Sequence, residues 1–462
     1  MPPRPGDNVE LDVTSLAYGG QGVARLDEFV VFVRGAVPGD RVLARVTKRR
    51  QSHAEAKTLE VLFPSPRRVP PRCRHSQECG GCEWQTLGYA AQLEFKQQQV
   101  VDSLQRIAHL TDYELEPIRG MDDPWRYRNK MEFSFGEEQD GRLVLGLHKR
   151  GSWKDVVDVV DCLLASERMN RARLAVAEAC REMGLRPYSR EGDGGLLRHL
   201  VVREGLSSGD LLLNLFIAAR FPEEQELVRR VAQASGCTSF AVTVNESRSD
   251  AAIGDEPHML LGPPHLRERL AGVDLRVPAT AFLQTNSAMC ETLYSTALRF
   301  AAPEEDRPSV DLYCGIGSLS LPLARASREV QAVEIMEEAI DAAQVNAELN
   351  EVGNAAFYAA DVRPLLRFPP HPVLDAGRPD DADRPAVVIT DPPRAGMARK
   401  ALARAAALCA DRFVYVSCNP TTLAGNAAEL TEQGYALTTV APVDMFPHTH
   451  HIETVALFER RD

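Results

Sequence analysis

"SVDLYCGIGSLSLPLARA", Ser309 to Ala326, is the stretch whose reading decides the fold. Val310 to Tyr313 read as a short buried strand, Gly315 and Gly317 break it, and a helical stretch follows. Glycines at such a turn let the backbone approach a ligand, with the helix N-terminus just beyond. Working outward, "EVQAVEIM" ends a strand in Glu334, "AAFYAADV" ends one in Asp361, and "AVVITDPPRAG" ends one in Asp391. "RFVYVSCNP" is the next, with Cys418 at its end. Strands alternating with helices predict an α/β, Rossmann-like open parallel sheet, whose ligands sit outside the strand C-termini.

Glu334 follows Asp311 by 23 residues, a spacing that suits an acceptor for ribose hydroxyls. That fits NAD as well as S-adenosylmethionine. The turn is D-x-x-x-G-x-G rather than G-x-G-x-x-G, and its strand-end acid suits a cofactor with a cationic amino-acid tail and no pyrophosphate. The balance favours a methyltransferase over a dehydrogenase. Solvated strand-end carboxylates remain the plain alternative for Glu334 and Asp361. Asp391-Pro392-Pro393 is followed by Arg394 rather than Tyr or Phe, which lowers an amino-group methyltransferase reading. The prolines fix the backbone behind Asp391.

The 462 residues of the chain allow two or three domains. With 44% hydrophobic and 26% charged residues and no apolar run of membrane-spanning length, the expectation is a cytoplasmic protein. Residues 5 to 62 alternate like short strands punctuated by glycine, which predicts a small OB-like β-barrel. "FPSPRRVPP" closes it as a stiff linker. The net charge is -12, yet Arg41 to Arg74 holds ten Lys or Arg against Glu55 and Glu60 alone. Such a patch suits phosphate backbone, and equally a solvated basic face. Residues 124 to 275 mix strands such as "LLLNLFIA" with helices such as "RMNRARLAVAEACREMG", and Phe368 to Pro385 reads as a surface loop.

Cys418 alone is most simply a small buried hydrophobe. It gains meaning if the acceptor is C5 of a uracil. Thiolate addition to C6 makes C5 nucleophilic, and a base must then remove the C5 proton before the thiol leaves. Glu453, near the start of a late strand, is the candidate base. His448, His450 and His451 stand beside it, but H-T-H-H-I-E is not H-E-x-x-H, so a metal is disfavoured there. Cys73, Cys79 and Cys82 form a C-x5-C-x2-C array, with Cys162 or Cys180 as a fourth thiolate by spacing. Four thiolates hold zinc or a [4Fe-4S] cluster, and spacing does not choose.

Six segments, "FLQTNSAM", "DLYCGIGSLSLPLA", "VEIMEEAIDAAQVNAELN", "DPPRAG", "VYVSCNPTTLAGN" and "HIETVALFER", resemble in order the motifs of the TrmA/RumA-type RNA (uracil-5-)-methyltransferases. The N-terminus resembles a TRAM domain. The resemblance spans essentially the full chain and implies three parts: residues 1–65, the RNA-binding barrel; 66–275, an iron-sulfur-containing α+β middle domain, with part of 90–123 packing on the catalytic domain; and 276–462, the S-adenosylmethionine-dependent catalytic domain. It implies Cys418 as nucleophile, Glu453 as general base, and Gln284, Tyr313, Glu334, Asp391, Ser318 and Asp361 as cofactor-binding. It also implies a [4Fe-4S] cluster on Cys73, Cys79, Cys82 and Cys162. Barrel and cysteine array together favour 23S rRNA as partner, presenting a flipped-out uridine for conversion to 5-methyluridine. The alternatives are a tRNA uracil-5-methyltransferase and an inactive RNA-binding protein on the same fold. The basic barrel segment and "WRYRNKMEF" are expected to grip backbone or stack bases. No obligate protein partner and no membrane are implied.

Overall fold

The computed structural model describes residues 3–189, 194–247, 252, 254–375 and 384–461. Five strands close the N-terminal barrel in the order Asn8–Leu16, Gly22–Leu26, Phe29–Arg34, His53–Phe63, Arg41–Arg49. Period-two alternation turns Leu11, Val13, Val31, Val33, Val42 and Ala44 inward. Arg45, Lys48, Arg49, Arg50 and Lys57 face outward and exposed. Asp40, buried, accepts two bonds from Arg68 (2.8 and 2.7 Å), which ties the proline-rich exit segment to the barrel.

The helix Tyr89–Ser103 runs on into a π-turn, Leu104–Ala108. The short strand Glu114–Leu115 then pairs in parallel with Tyr435–Val443. A seven-stranded sheet occupies the middle of the chain, flanked by the helices Glu167–Glu182 and Glu224–Ser235. Ser166 caps the first of these, its side chain accepting from Met169 N–H.

The last sheet has eight strands: Ala355–Ala359, Glu329–Glu334, Pro308–Leu312, Val387–Thr390, Arg412–Ser417, Glu453–Arg460, Tyr435–Val443 and Glu114–Leu115. The first five run parallel, as the sequence predicts. The sheet as a whole is mixed. The chain returns after Tyr435–Val443 and inserts Glu453–Arg460 antiparallel to both neighbours, a pairing that local periodicity does not encode. The hairpin of His265–Leu270 and Val273–Pro278 packs into this sheet's core through Leu266, Leu270, Val273, Leu275 and Val277. Within the expected surface loop Phe368–Pro385, residues 376–383 lie outside the described residues. Pro372–Leu374 there is a 3₁₀ turn that buries Val373 and Leu374. Among the described residues, no helix is long and apolar enough to cross a membrane.

Candidate active site

Beyond the carboxyl ends of the parallel strands opens a cavity of about 950 Å³. Gln284, Tyr313, Ser318, Glu334, Asp361, Asp391, Cys418 and Glu453 all line it. Residues from seven separate stretches of sequence therefore converge on one space beside the strand ends, as in an open α/β sheet.

At one end, the turn after Pro308–Leu312 carries Gly315 (φ +54°) and Gly317 (φ +82°). A Cβ built on Gly315 meets nothing within 4 Å, so the backbone there faces open space. Tyr313 holds φ +68°, unusual for a bulky residue and a local strain at the cavity wall. Glu334 is oriented by backbone donors: Oε1 accepts from Ile335 (2.7 Å) and Met336 (3.1 Å), and Oε2 from Gly315 (3.2 Å). Carboxylate oxygens retain lone pairs for further donors such as ribose hydroxyls. Ile335 and Met336 are exposed and line the same cavity, an apolar shelf for a flat ring. Asp361 caps its helix through Arg363 N–H (2.8 Å), and Ser318 Oγ bonds the Tyr294 hydroxyl (3.0 Å). Oriented carboxylates, an apolar shelf and open backbone at the glycine turn fit S-adenosylmethionine.

At the other end, Ser417 pairs with Thr454 as the last rung between Arg412–Ser417 and Glu453–Arg460. One step beyond that rung stand Cys418 and Glu453, brought side by side by the antiparallel return. Asn419 then caps the helix Pro420–Glu432, its side chain accepting from Thr421 N–H (3.0 Å), with Pro420 in the first turn. Ser417 Oγ donates to Asn419 O (3.0 Å), so the turn around Cys418 is held from both sides. Asp391 accepts from Gln284 Nε2 (3.2 Å).

Burial dominates the electrostatics. It pushes the Cys418 thiol up to about 12, with Glu453 and Asp391 adding to the effect and Arg394 opposing it. Glu453 is held well above the ordinary carboxylate range by burial, then by Asp391, and its Oε2 has no hydrogen-bond partner. Burial lifts Asp391 to about 6, against the Gln284 bond that lowers it. A carboxyl whose proton affinity is raised by burial, beside a thiol raised in the same way, is an acid/base pair tuned by desolvation.

Sequence reasoning missed the brace behind this wall. Lys96 and Asp444, both fully buried, form an ion pair of 2.6 Å, and Lys96 Nζ also donates to Phe446 O (3.0 Å). Gln92 Oε1 accepts from His448 N–H (2.9 Å), and Trp125 stacks on the His448 ring at 3.9 Å. Tyr127 donates to Pro447 O (3.1 Å). Within "WRYRNKMEF", Trp125 and Tyr127 thus support the segment leading to Glu453, Arg128 reaches the cavity wall, and Met131 and Phe133 enter the core of the middle sheet. His448 and His451 are both depressed to about 4, chiefly by burial. No sequence signal marks a helical lysine as buried.

The iron-sulfur expectation is corrected. Cys79, Cys82 and Cys162 are buried and Cys73 half-buried, and the four are electrostatic neighbours. Among the described residues, however, no group of three or more His, Cys, Asp or Glu is placed to hold a metal ion. The loop is tied by protein contacts instead: Arg150 Nη2 donates to the carbonyls of Ser76, Cys79 and Cys82 (3.0, 3.4 and 2.5 Å). Burial raises all three buried thiols, Cys82 to about 12.

Comparison with known proteins accords with this site. The family described as tRNA (Uracil-5-)-methyltransferase matches residues 267–461, and the TRAM domain matches residues 3–59. An uncharacterized RNA methyltransferase of Halalkalibacterium halodurans is 35% identical over 463 residues, covering 100% of this chain and 99% of the relative. Another, from Thermosynechococcus vestitus, is 37% identical over 458 residues and covers 98% of each. The crystal structure of the Pyrococcus abyssi tRNA (uracil-54, C5)-methyltransferase with S-adenosyl-L-homocysteine matches 97% of this chain and 100% of its own, at 27% identity and a TM-score of 0.76. That relative is a tRNA enzyme, and the cysteine array forms no metal-holding group. The iron-sulfur expectation is overturned, and the expected likeness to 23S rRNA members is corrected: the full-length structural match is to a tRNA enzyme.

Proposed function

Because this chain belongs to the TRAM-containing family of RNA (uracil-C5) methyltransferases, we propose that it methylates C5 of a uridine in transfer RNA, with Cys418 as nucleophile and Glu453 as general base. The observation that carries the chemistry is the pairing of Cys418 with Glu453 one step past the Ser417–Thr454 rung, inside the cavity that holds the strand-end carboxylates. The choice of tRNA is supported by the full-length likeness to a tRNA enzyme. In the same reading residues 1–65 form the RNA-binding barrel, 66–275 the middle domain and 276–462 the catalytic domain. The protein acts in the cytoplasm, where its RNA is.

Cys418 reacts as its thiolate and Glu453 as its carboxylate, their protons having passed to water; as sulfur bonds to C6, the C5–C6 π electrons move toward O4. S-adenosylmethionine, when bound, supplies an electrophilic methyl group for C5. Gln284, Tyr313, Ser318, Glu334, Asp361 and Asp391 serve to bind and orient it. Glu453 then takes the C5 proton, the C5–C6 double bond re-forms, and the thiolate leaves. C5 and C6 are out of reach in a stacked helix, so the uridine enters flipped out. Exposed Arg45, Lys48, Arg49, Arg50 and Lys57 offer the barrel's grip on phosphates. An inactive RNA-binding role is disfavoured, because nucleophile and base candidates stand together intact.

The test is to mix the protein and S-adenosylmethionine with 5-fluorouridine-containing tRNA and, separately, 23S rRNA transcripts. A covalent tRNA adduct that disappears in Cys418→Ala supports the proposal. No adduct with either RNA, or one that survives Cys418→Ala, refutes the mechanism. An adduct with 23S rRNA alone refutes the choice of substrate.

A further inference from the structure

The loop Ala17–Gln21, between the first two barrel strands, lies against the candidate active site. Its turn is closed by Ala17 N–H to Gln21 O (2.8 Å) and Gly20 N–H to Ala17 O (3.0 Å). Gln99 Nε2 pins it from the helix below, donating to Leu16 O (3.4 Å) and Ala17 O (3.2 Å). Gly20 has φ +85°, and a Cβ built there would lie 3.1 Å from Trp84 Nε1 and 3.4 Å from the His450 Cβ. The barrel is therefore packed tightly on the segment that leads to Glu453.

From this loop the Tyr18 ring meets His450 edge-on, with centroids 6.0 Å apart. Its hydroxyl donates to the main-chain carbonyl of Cys418 at 3.4 Å, across 400 residues of sequence. That carbonyl sits one residue before the helix cap, so the helix does not use it. Arg394, which flanks the same turn by accepting at its carbonyl from Asn419 Nδ2 (3.3 Å), also lies within electrostatic reach of the phenol.

Resting on the reading of Cys418 as nucleophile, we propose that Tyr18 is a positioning residue for it: the barrel hydroxyl fixes the Cys418 carbonyl and so aims the thiol, making the barrel part of the active site. The strand holds Cys418 on one side and the Asn419 cap on the other. Tyr18 holds the peptide between them. A thiol on a looser turn is easier to reach but less often in line with C6.

Tyr18→Phe removes the hydroxyl and keeps the ring against His450. Two measurements on the full-length protein decide the matter. The first is the pH profile of iodoacetamide alkylation at Cys418, read by mass spectrometry. The second is kcat and KM for tRNA methylation. Alkylation at pH 8 is expected to rise about threefold, and kcat to fall about fivefold with KM within twofold, the scale of one lost hydrogen bond. Unchanged Cys418 alkylation overturns the proposal whatever happens to kcat. A raised KM at unchanged kcat also overturns it, since Tyr18 would then act in RNA binding. If the wild-type protein methylates no RNA, the proposed function fails, and the alkylation comparison still decides the role of Tyr18.

Discussion

Replacing Lys96 with Met probes how the Glu453 segment is held. Lys96 and Asp444 have no solvent-exposed side-chain surface and meet at 2.6 Å. Asp444 Oδ1 accepts from Lys96 Nζ and from Phe446 N–H (3.2 Å) while Oδ2 has no hydrogen-bond partner, so the lysine is the charge that compensates the carboxylate. Methionine keeps the apolar stem but strands the carboxylate in the core. Breaking a buried pair on one side costs about 3–5 kcal/mol, a large share of the roughly 5–15 kcal/mol that stabilises a typical folded domain. Urea unfolding followed by tryptophan fluorescence is the assay, because Lys96 lies 5.7 Å from the Trp84 ring centroid and Trp125 stacks on His448. The double variant Lys96→Met with Asp444→Leu should recover most of the loss, since an apolar pair of similar volume replaces a buried ion pair at little cost. A loss below about 1 kcal/mol in the single variant would falsify the claim that this pair is the brace.

Further outcomes follow from the same geometry. Glu453 is raised in the folded protein, so its protonated form contributes stability that is complete below the ordinary carboxylate range and drains away as pH rises through its elevated folded value. Glu453→Gln should therefore flatten the fall in stability as pH rises above the ordinary carboxylate range, while abolishing turnover; an unchanged slope in denaturant midpoint against pH contradicts this. Asn419→Ala removes the cap bond to Thr421 and should cost about 1 kcal/mol, with slower adduct formation at Cys418. An adduct rate equal to wild type would mean that the cap does not aim the thiol. Changing Arg45, Lys48 and Arg49 together to Ala should weaken RNA binding at low salt and reduce the salt-dependence slope by about 2–3. An unchanged slope removes the barrel face from the RNA interface.

The sequence alone determined the parts whose signals are local. Glycine turns and buried apolar runs marked the parallel strands, and the sequence showed Glu334, Asp361, Asp391 and Cys418 at or just past the strand ends. Period-two alternation marked the barrel, since one face of each short strand must be buried. What only tertiary structure decided depends on pairings across tens to hundreds of residues. The insertion of Glu453–Arg460 beside Arg412–Ser417 sets Glu453 against Cys418. Lys96 reaches Asp444 across 348 residues, and Tyr18 reaches Cys418 across 400. The cysteine array shows the converse: its spacing suggests a ligand set, and the structure gathers the four thiols near one another, yet among the described residues no group is placed to hold a metal ion. Local patterns record which face of an element is buried. Which element lies opposite is set by packing of the whole core, and that is where the candidate site was assembled.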